Sequence, residues 1–184
     1  YRITSAITVR NALTLEGAGG SASVIHQVTP TEHGLAGDDI LQLTVKELRL
    51  VGPSSGSGDG LHLTRTNNAA TNYIKLSDAV FRTWGGNGVS ISNPIVSAFT
   101  QVRSENNGGN GFYLYGEGGI AGTSVALQGC YANDNAQAGF SLDTMVYCSL
   151  SGCASEANAA DYRVVDCQSI SFNGSGSENN GGIG

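Results

Sequence analysis

The sequence predicts an all-β fold, a parallel β-solenoid of about seven coils of 22–35 residues. Three observations predict it. A unit with an apolar anchor recurs along the chain, each unit closes on a Gly-apolar-x-apolar stretch, and an Asn returns at a fixed place between them. Composition agrees. Gly supplies 27 of the 184 residues and Pro only 3, and Gly and Asn are costly in helix interiors.

The anchors are Leu13, Leu48, Leu76, Phe99, Leu127, Leu150 and Phe172, spaced 35, 28, 23, 28, 23 and 22 residues apart. Within a unit the anchor, anchor+3 and anchor+5 positions are apolar or small, as in Phe99, Val102 and Ser104 or Leu127, Cys130 and Ala132. The closing stretch, as in Gly111-Phe112-Tyr113-Leu114, alternates with the period-2 rhythm of a strand. No helical period separates these short strands, so βαβ units are excluded. Stacked copies of such a coil bury the inward column of each strand continuously.

Anchor+8 is Asn in four successive units: Asn107, Asn135, Asn158 and Asn180. Asn tolerates the left-handed backbone of a tight corner, and stacked side-chain amides hydrogen-bond along a column. A leucine-rich repeat has a similar period, but these units lack its Leu-x-x-Leu-x-Leu core.

The charge balance narrows the partners. Lys and Arg total 9 against 15 Asp and Glu, a net charge of −6, so the basic surface that nucleic acid requires is missing. No apolar run approaches the ~20 residues needed to span a bilayer, so no membrane insertion is expected. Cys130, Cys148, Cys153 and Cys167 contain no Cys-x-x-Cys pair and read as buried free thiols acting as small apolar fillers. The chain opens without Met or a signal-peptide pattern and stops within a repeat. Residues 1–184 are therefore expected to be a single β-helix segment of a longer chain, truncated at both ends.

Two coils carry about five extra residues at one corner, near 64–72 and 115–123, and insertions confined to one corner often build a binding face. Alternation turns Phe112 and Leu114 inward, so Tyr113 and Tyr115 face outward. The same outward columns receive His62 and Thr64, Ser90 and Ser92, Ser141 and Asp143, and Arg163. Exposed aromatic rings flanked by hydrogen-bonding side chains suit a sugar, although a subunit interface uses Tyr equally well. Trp84, at anchor+8 where later coils place Asn, either caps a corner or extends the sugar platform. His26, His33 and His62 fall in three different coils, which gives no reason to group them as ligands.

Anchor+6 forms a second column of Arg82, Glu105, Asn133, Glu156 and Glu178. With coils ~4.8 Å apart, Glu156 and Glu178 approach the spacing of a retaining glycosidase pair, and Glu105 with Glu156 that of an inverting one. These three are the candidate catalytic residues. Two other readings stay open: exposed turn residues of a Ser-Glu-x-Asn corner, or a carboxylate column holding Ca²⁺. No other cofactor and no other metal is expected.

Ser104-Glu105-Asn106-Asn107 with Gly111-Phe112, Ser177-Glu178-Asn179-Asn180, and the opening Tyr1-Arg2-Ile3-Thr4 with Leu13-Thr14-Leu15-Glu16-Gly17 resemble the right-handed parallel β-helix of the pectate-lyase-like superfamily, in its phage tailspike and tail-fibre branch. The resemblance implies the shaft of a virion tail protein, a homotrimer that binds and in some members degrades bacterial surface polysaccharide as a glycosidase or lyase. Two alternatives remain: a free secreted, extracellular polysaccharide lyase or glycoside hydrolase of the same superfamily, and a non-enzymatic spacer. Asp38-Asp39 is similar to the paired Asp of polygalacturonases, but that family's other motifs and the Arg-x-Pro-x-x-Arg stretch of pectate lyases are absent, so no catalytic residue carries over.

Overall fold

The computed structural model describes residues 1–66 and 71–181. Among these there are short β-strands and no helix, so no helix is long and apolar enough to cross a membrane. The coils feed strands in turn to three sheets, two coils adding a second short strand, Thr71–Asn72 and Met145–Val146, to the first sheet, and every strand pairing is parallel. In chain order within a coil, the first sheet carries the anchors, as in Pro94–Thr100 and Gly122–Gln128. The second includes Arg103–Glu105, Tyr131–Asn133 and Ala154–Glu156. The third runs through Ile7–Thr8, Leu35–Asp38, Leu61–Thr64, Val89–Ser92, Phe112–Tyr115, Ala138–Asp143 and Ala160–Val165. The expected β-solenoid is the observed fold.

Equivalent residues stack in files. Leu76, Phe99, Leu127, Leu150 and Phe172 are successive register partners in the first sheet. The two N-terminal anchors are corrected. Val45, not Leu48, pairs with Leu76, and Leu15, not Leu13, pairs with Val45. Leu48 instead lies in the turn file with Ala79, Val102, Cys130 and Cys153, all buried. The misreading has a physical source: Leu43, Val45, Leu48 and Leu50 all point inward around left-handed Glu47, so apolar spacing alone does not mark the anchor.

Inside the third sheet, Phe112 and Phe140 stack with centroids 4.9 Å apart and planes 1° apart, and Tyr162 continues the pile at 5.2 Å. The four cysteines are free thiols, and Cys130, Cys148 and Cys153 are buried in the apolar core. Burial pushes the Cys148 thiol up to about 11, as expected for an inert filler.

The corner after the second sheet holds the Asn ladder. Asn107 Nδ2 donates to Asn135 Oδ1 at 2.8 Å, and Asn135 Nδ2 donates to Asn158 Oδ1 at 2.8 Å. Each Oδ1 also accepts the backbone N–H of the preceding rung, and Trp84 N–H starts the series on Asn107 Oδ1 at 3.0 Å. The left-handed corner residue is one place earlier than the sequence reading put it, at Asn106, Asp134, Ala157 and Asn179. The ladder Asn is therefore selected for its amide, not for its backbone freedom.

Candidate functional site

A groove of about 770 Å³ runs along the solenoid axis where the second-to-third corner meets the third sheet. His33, Asp59 and His62 line one end, Asn87, Asn110 and Tyr113 the middle, and Ser141, Asp143 and Arg163 the other end. Its floor is glycine because the rungs pack backbone on backbone. A Cβ on Gly86 would collide with Asp59 Oδ1, and one on Gly108 with the Gly85 carbonyl. From the His62 rung to the Arg163 rung is four steps, ~19 Å at the usual spacing of parallel strands.

The wall is a second polar ladder, built from the residue before each closing Gly. Asp59 N–H donates to His33 Nδ1 at 2.9 Å, and Asn87 N–H and Nδ2 both donate to Asp59 Oδ1. Asn110 N–H donates to Asn87 Oδ1 at 2.8 Å, and Ala138 N–H to Asn110 Oδ1 at 3.1 Å. Here the acceptor sits on the earlier rung, opposite in direction to the Asn ladder. The second oxygen of Asp59, a residue only 6% exposed, accepts from His62 Nδ1 at 2.7 Å.

These bonds fix two tautomers. A carboxylate only accepts, so His62 carries a proton on Nδ1, and in neutral His62 Nε2 is an acceptor. His33 Nδ1 accepts a backbone N–H, so neutral His33 carries its proton on Nε2. The two rings stack with centroids 4.0 Å apart and planes 9° apart. Burial, and then the neighbouring His62, hold the His33 pKa below its ordinary value against the opposing pull of Asp59 and Glu32.

His33, Asp59 and His62 are also the group with ligand atoms close enough to hold a metal among the described residues. Their arrangement fits one poorly. Imidazole lone pairs lie in the ring plane, and two parallel rings stacked at 4.0 Å cannot both aim at one ion ~2.0–2.1 Å away. Both Nδ1 atoms are already engaged by the wall.

The outward columns of the sequence reading are present: His62, Ser90, Tyr113, Ser141 and Arg163 are successive register partners. Tyr113 and Tyr115 stack at 4.6 Å, forming an aromatic ledge of which Tyr113 lines the groove. Burial, and then Asp143, raise the Tyr113 pKa, and burial pushes Tyr115 up to about 12. Arg163 reaches Ser141 Oγ at 3.3 Å and lies 3.9 Å from Asp143.

Trp84 is placed differently from the platform reading. It is 1% exposed, and its ring fills space under Gly34, Gly52 and Gly60, where any Cβ would strike it. Glu105, Glu156 and Glu178 do stack in one file, with Asn133 between Glu105 and Glu156. That file lies on the second sheet, outside the groove. Glu105 pairs with Arg103, and Glu156 accepts from the Tyr131 hydroxyl. The insertions flank the far ends of the third-sheet strands, where Arg65 donates to the Glu117 carbonyl at 2.9 Å; residues 67–70 of the first lie outside the described residues. Sequence reasoning missed Asp59 and the pairing of His33 with His62. The signal was the run His33-Gly34, Asp59-Gly60, Asn87-Gly88 and Asn110-Gly111.

Fold and groove together define a parallel β-helix with a polar, partly aromatic channel on one outer sheet. No family model and no curated protein matches the chain. Solved structures do. The chain is similar to the A-module of the Azotobacter vinelandii mannuronan C-5 epimerase AlgE4, with a TM-score of 0.62 and 16% identity over 95% of this chain and 66% of that one. It is similar to ORF18 of Geobacillus virus E2, with a TM-score of 0.68 and 15% identity over 95% of this chain and 40% of that one. The AlgE6 A-module from A. vinelandii gives 0.59 and 14% over the whole chain and 67% of that module. At these identities the likeness is one of fold.

Proposed function

We propose that this chain is a polysaccharide-binding β-helix whose glycan lies along the groove, parallel to the solenoid axis. The observation that carries this reading is the groove itself: a channel of about 770 Å³ along the rungs from His33 to Arg163, with the Tyr113 ring on its wall and amide, imidazole and guanidinium groups along its length. An aromatic face packs against the apolar side of a pyranose while the flanking polar groups meet its hydroxyls. A structural neighbour is a polysaccharide epimerase module and another is a phage protein, which supports the same reading.

The more specific role is the shaft of a phage tailspike or tail fibre, assembled as a homotrimer and directed at bacterial surface polysaccharide. The phage neighbour supports it. Glycan-array binding of the segment to capsular polysaccharides, with Tyr113→Ala as the control, tests the glycan assignment. Sedimentation equilibrium tests the trimer, and a monomeric segment at micromolar concentration would argue against the tailspike role while leaving the groove intact.

A further inference from the structure

The two histidines at the His33 end of the groove are the most chemically organised cluster among the described residues. Each spends Nδ1 on the wall and leaves Nε2 for the channel that both rings line. The result is a fixed acceptor and a fixed donor side by side, which is the arrangement of a general base beside a hydrogen-bonding acid. Asp59 orients His62 as the carboxylate of a catalytic triad orients its imidazole, and its buried position keeps that orientation from relaxing.

The surroundings decide which reaction such a pair serves. Glycosidic hydrolysis uses two carboxylates flanking the bond. Both Asp59 oxygens are occupied by the wall and His62, and the other carboxylate lining the groove, Asp143, is three rungs away. Elimination from a uronic acid needs a cation on the substrate carboxylate to make its neighbouring C–H acidic. The one Lys or Arg lining the groove among the described residues, Arg163, is four rungs (~19 Å) from His62. Ester hydrolysis needs neither. It needs a base for water and a donor for the carbonyl oxygen, a few ångströms apart.

We propose that His62 and His33 hydrolyse an O-acyl ester, such as an acetate, carried by a sugar of the bound glycan. The inference rests on the glycan-binding reading for its substrate. His62 Nε2 takes a proton from water as the water oxygen bonds to the ester carbonyl carbon. His33 Nε2–H hydrogen-bonds the carbonyl oxygen as negative charge gathers there. The tetrahedral adduct collapses, the bond from the acyl carbon to the sugar oxygen breaks, and that oxygen takes the proton held on His62. The products are a carboxylic acid, which ionises in water, and a free sugar hydroxyl. Asp59 acts through His62 as a positioning residue.

The test incubates the protein with O-acetylated capsular polysaccharides, with the same polymers after chemical de-O-acetylation, and with 4-nitrophenyl acetate as a glycan-free probe. Acetate release is expected from the acetylated polymers. His62→Ala is expected to lower kcat by about a hundredfold or more. Asp59→Asn keeps the wall's acceptor but places an amide donor at His62 Nδ1, reversing the tautomer. It is expected to act on kcat, whereas Tyr113→Ala acts on KM. Thermal melting confirms that each variant is folded, and if Asp59→Asn is not, His33→Gln, which retains an acceptor for Asp59 N–H, replaces it. Unsaturated or new reducing ends without acetate, or acetate release abolished by a chelator, would overturn the proposal. So would the absence of acetate release from polymers that bind. If no polymer binds, hydrolysis of 4-nitrophenyl acetate that depends on His62 and Asp59 would uphold the histidine pair and refute only the glycan reading.

Discussion

Asn107 places both its backbone N–H, at 3.2 Å, and its side-chain amide, at 2.8 Å, on the single Oδ1 of Asn135. Both residues are 2% exposed, so neither donor has water as a substitute. Asn135→Ala strands two buried donors and is expected to cost about 3 kcal/mol. Urea denaturation measures it. Asn180→Ala, at the partly exposed end of the ladder, is expected to cost less than half as much, and equal costs would show that the ladder does not act through burial.

Phe140 lies between Phe112 and Tyr162 in the inward pile and is 1% exposed. Phe140→Ala opens a cavity with neighbours held on both rungs by strand pairing, so the site cannot collapse. A loss of about 3–5 kcal/mol is expected, read as a drop in melting temperature with unchanged β-sheet circular dichroism.

The lowered pKa of His33 makes stability depend on pH. The unfolded chain takes up its proton near the ordinary value of 6.5, before the folded protein does. Stability contributed by this residue is therefore complete above that value and falls as pH drops through it, until the folded form is protonated as well. Melting temperatures measured from neutral to mildly acid pH should decline, and His33→Gln should flatten the decline.

Tyr113→Ala removes the aromatic wall of the groove and is expected to weaken glycan binding about tenfold, while Tyr113→Phe changes it little. Isothermal titration with a bound capsular oligosaccharide separates the two. Equal losses in both variants would point to the hydroxyl rather than the ring.

Gly86→Ala puts a methyl group against Asp59 Oδ1 and displaces the carboxylate from Asn87. The His62 Nδ1 proton, visible downfield by NMR while held by Asp59, is expected to lose its shift. The neighbouring Phe112 and Phe140 signals should persist, since the inward pile is not touched.

The repeat was legible because a solenoid converts long-range contacts into constant sequence offsets. Phe99, Leu127 and Leu150 could thus be aligned without any knowledge of their pairing. Alternation also placed Tyr113, His62 and Arg163 on one outward file. It failed at Leu13 and Leu48, where both sides of a left-handed corner are apolar and the anchor is no longer marked. The buried place of Trp84 depends on Gly34, Gly52 and Gly60, residues of other rungs that make room for it. The Asp59 column was hidden for a related reason. His, Asp and Asn differ chemically, and only the shared task of accepting a backbone N–H makes them equivalent.

The opposed directions of the two ladders have a mechanical meaning. From the Trp84 rung to the Asn135 rung both ladders tie neighbouring coils within the same corner, one with its acceptors on the later rung and the other with its acceptors on the earlier, so no single tie spans more than one step. A pull on one terminus would load the outermost rung alone and release it before the next carries tension. Under an optical trap the molecule would pay out in a staircase, one coil of slack at a time.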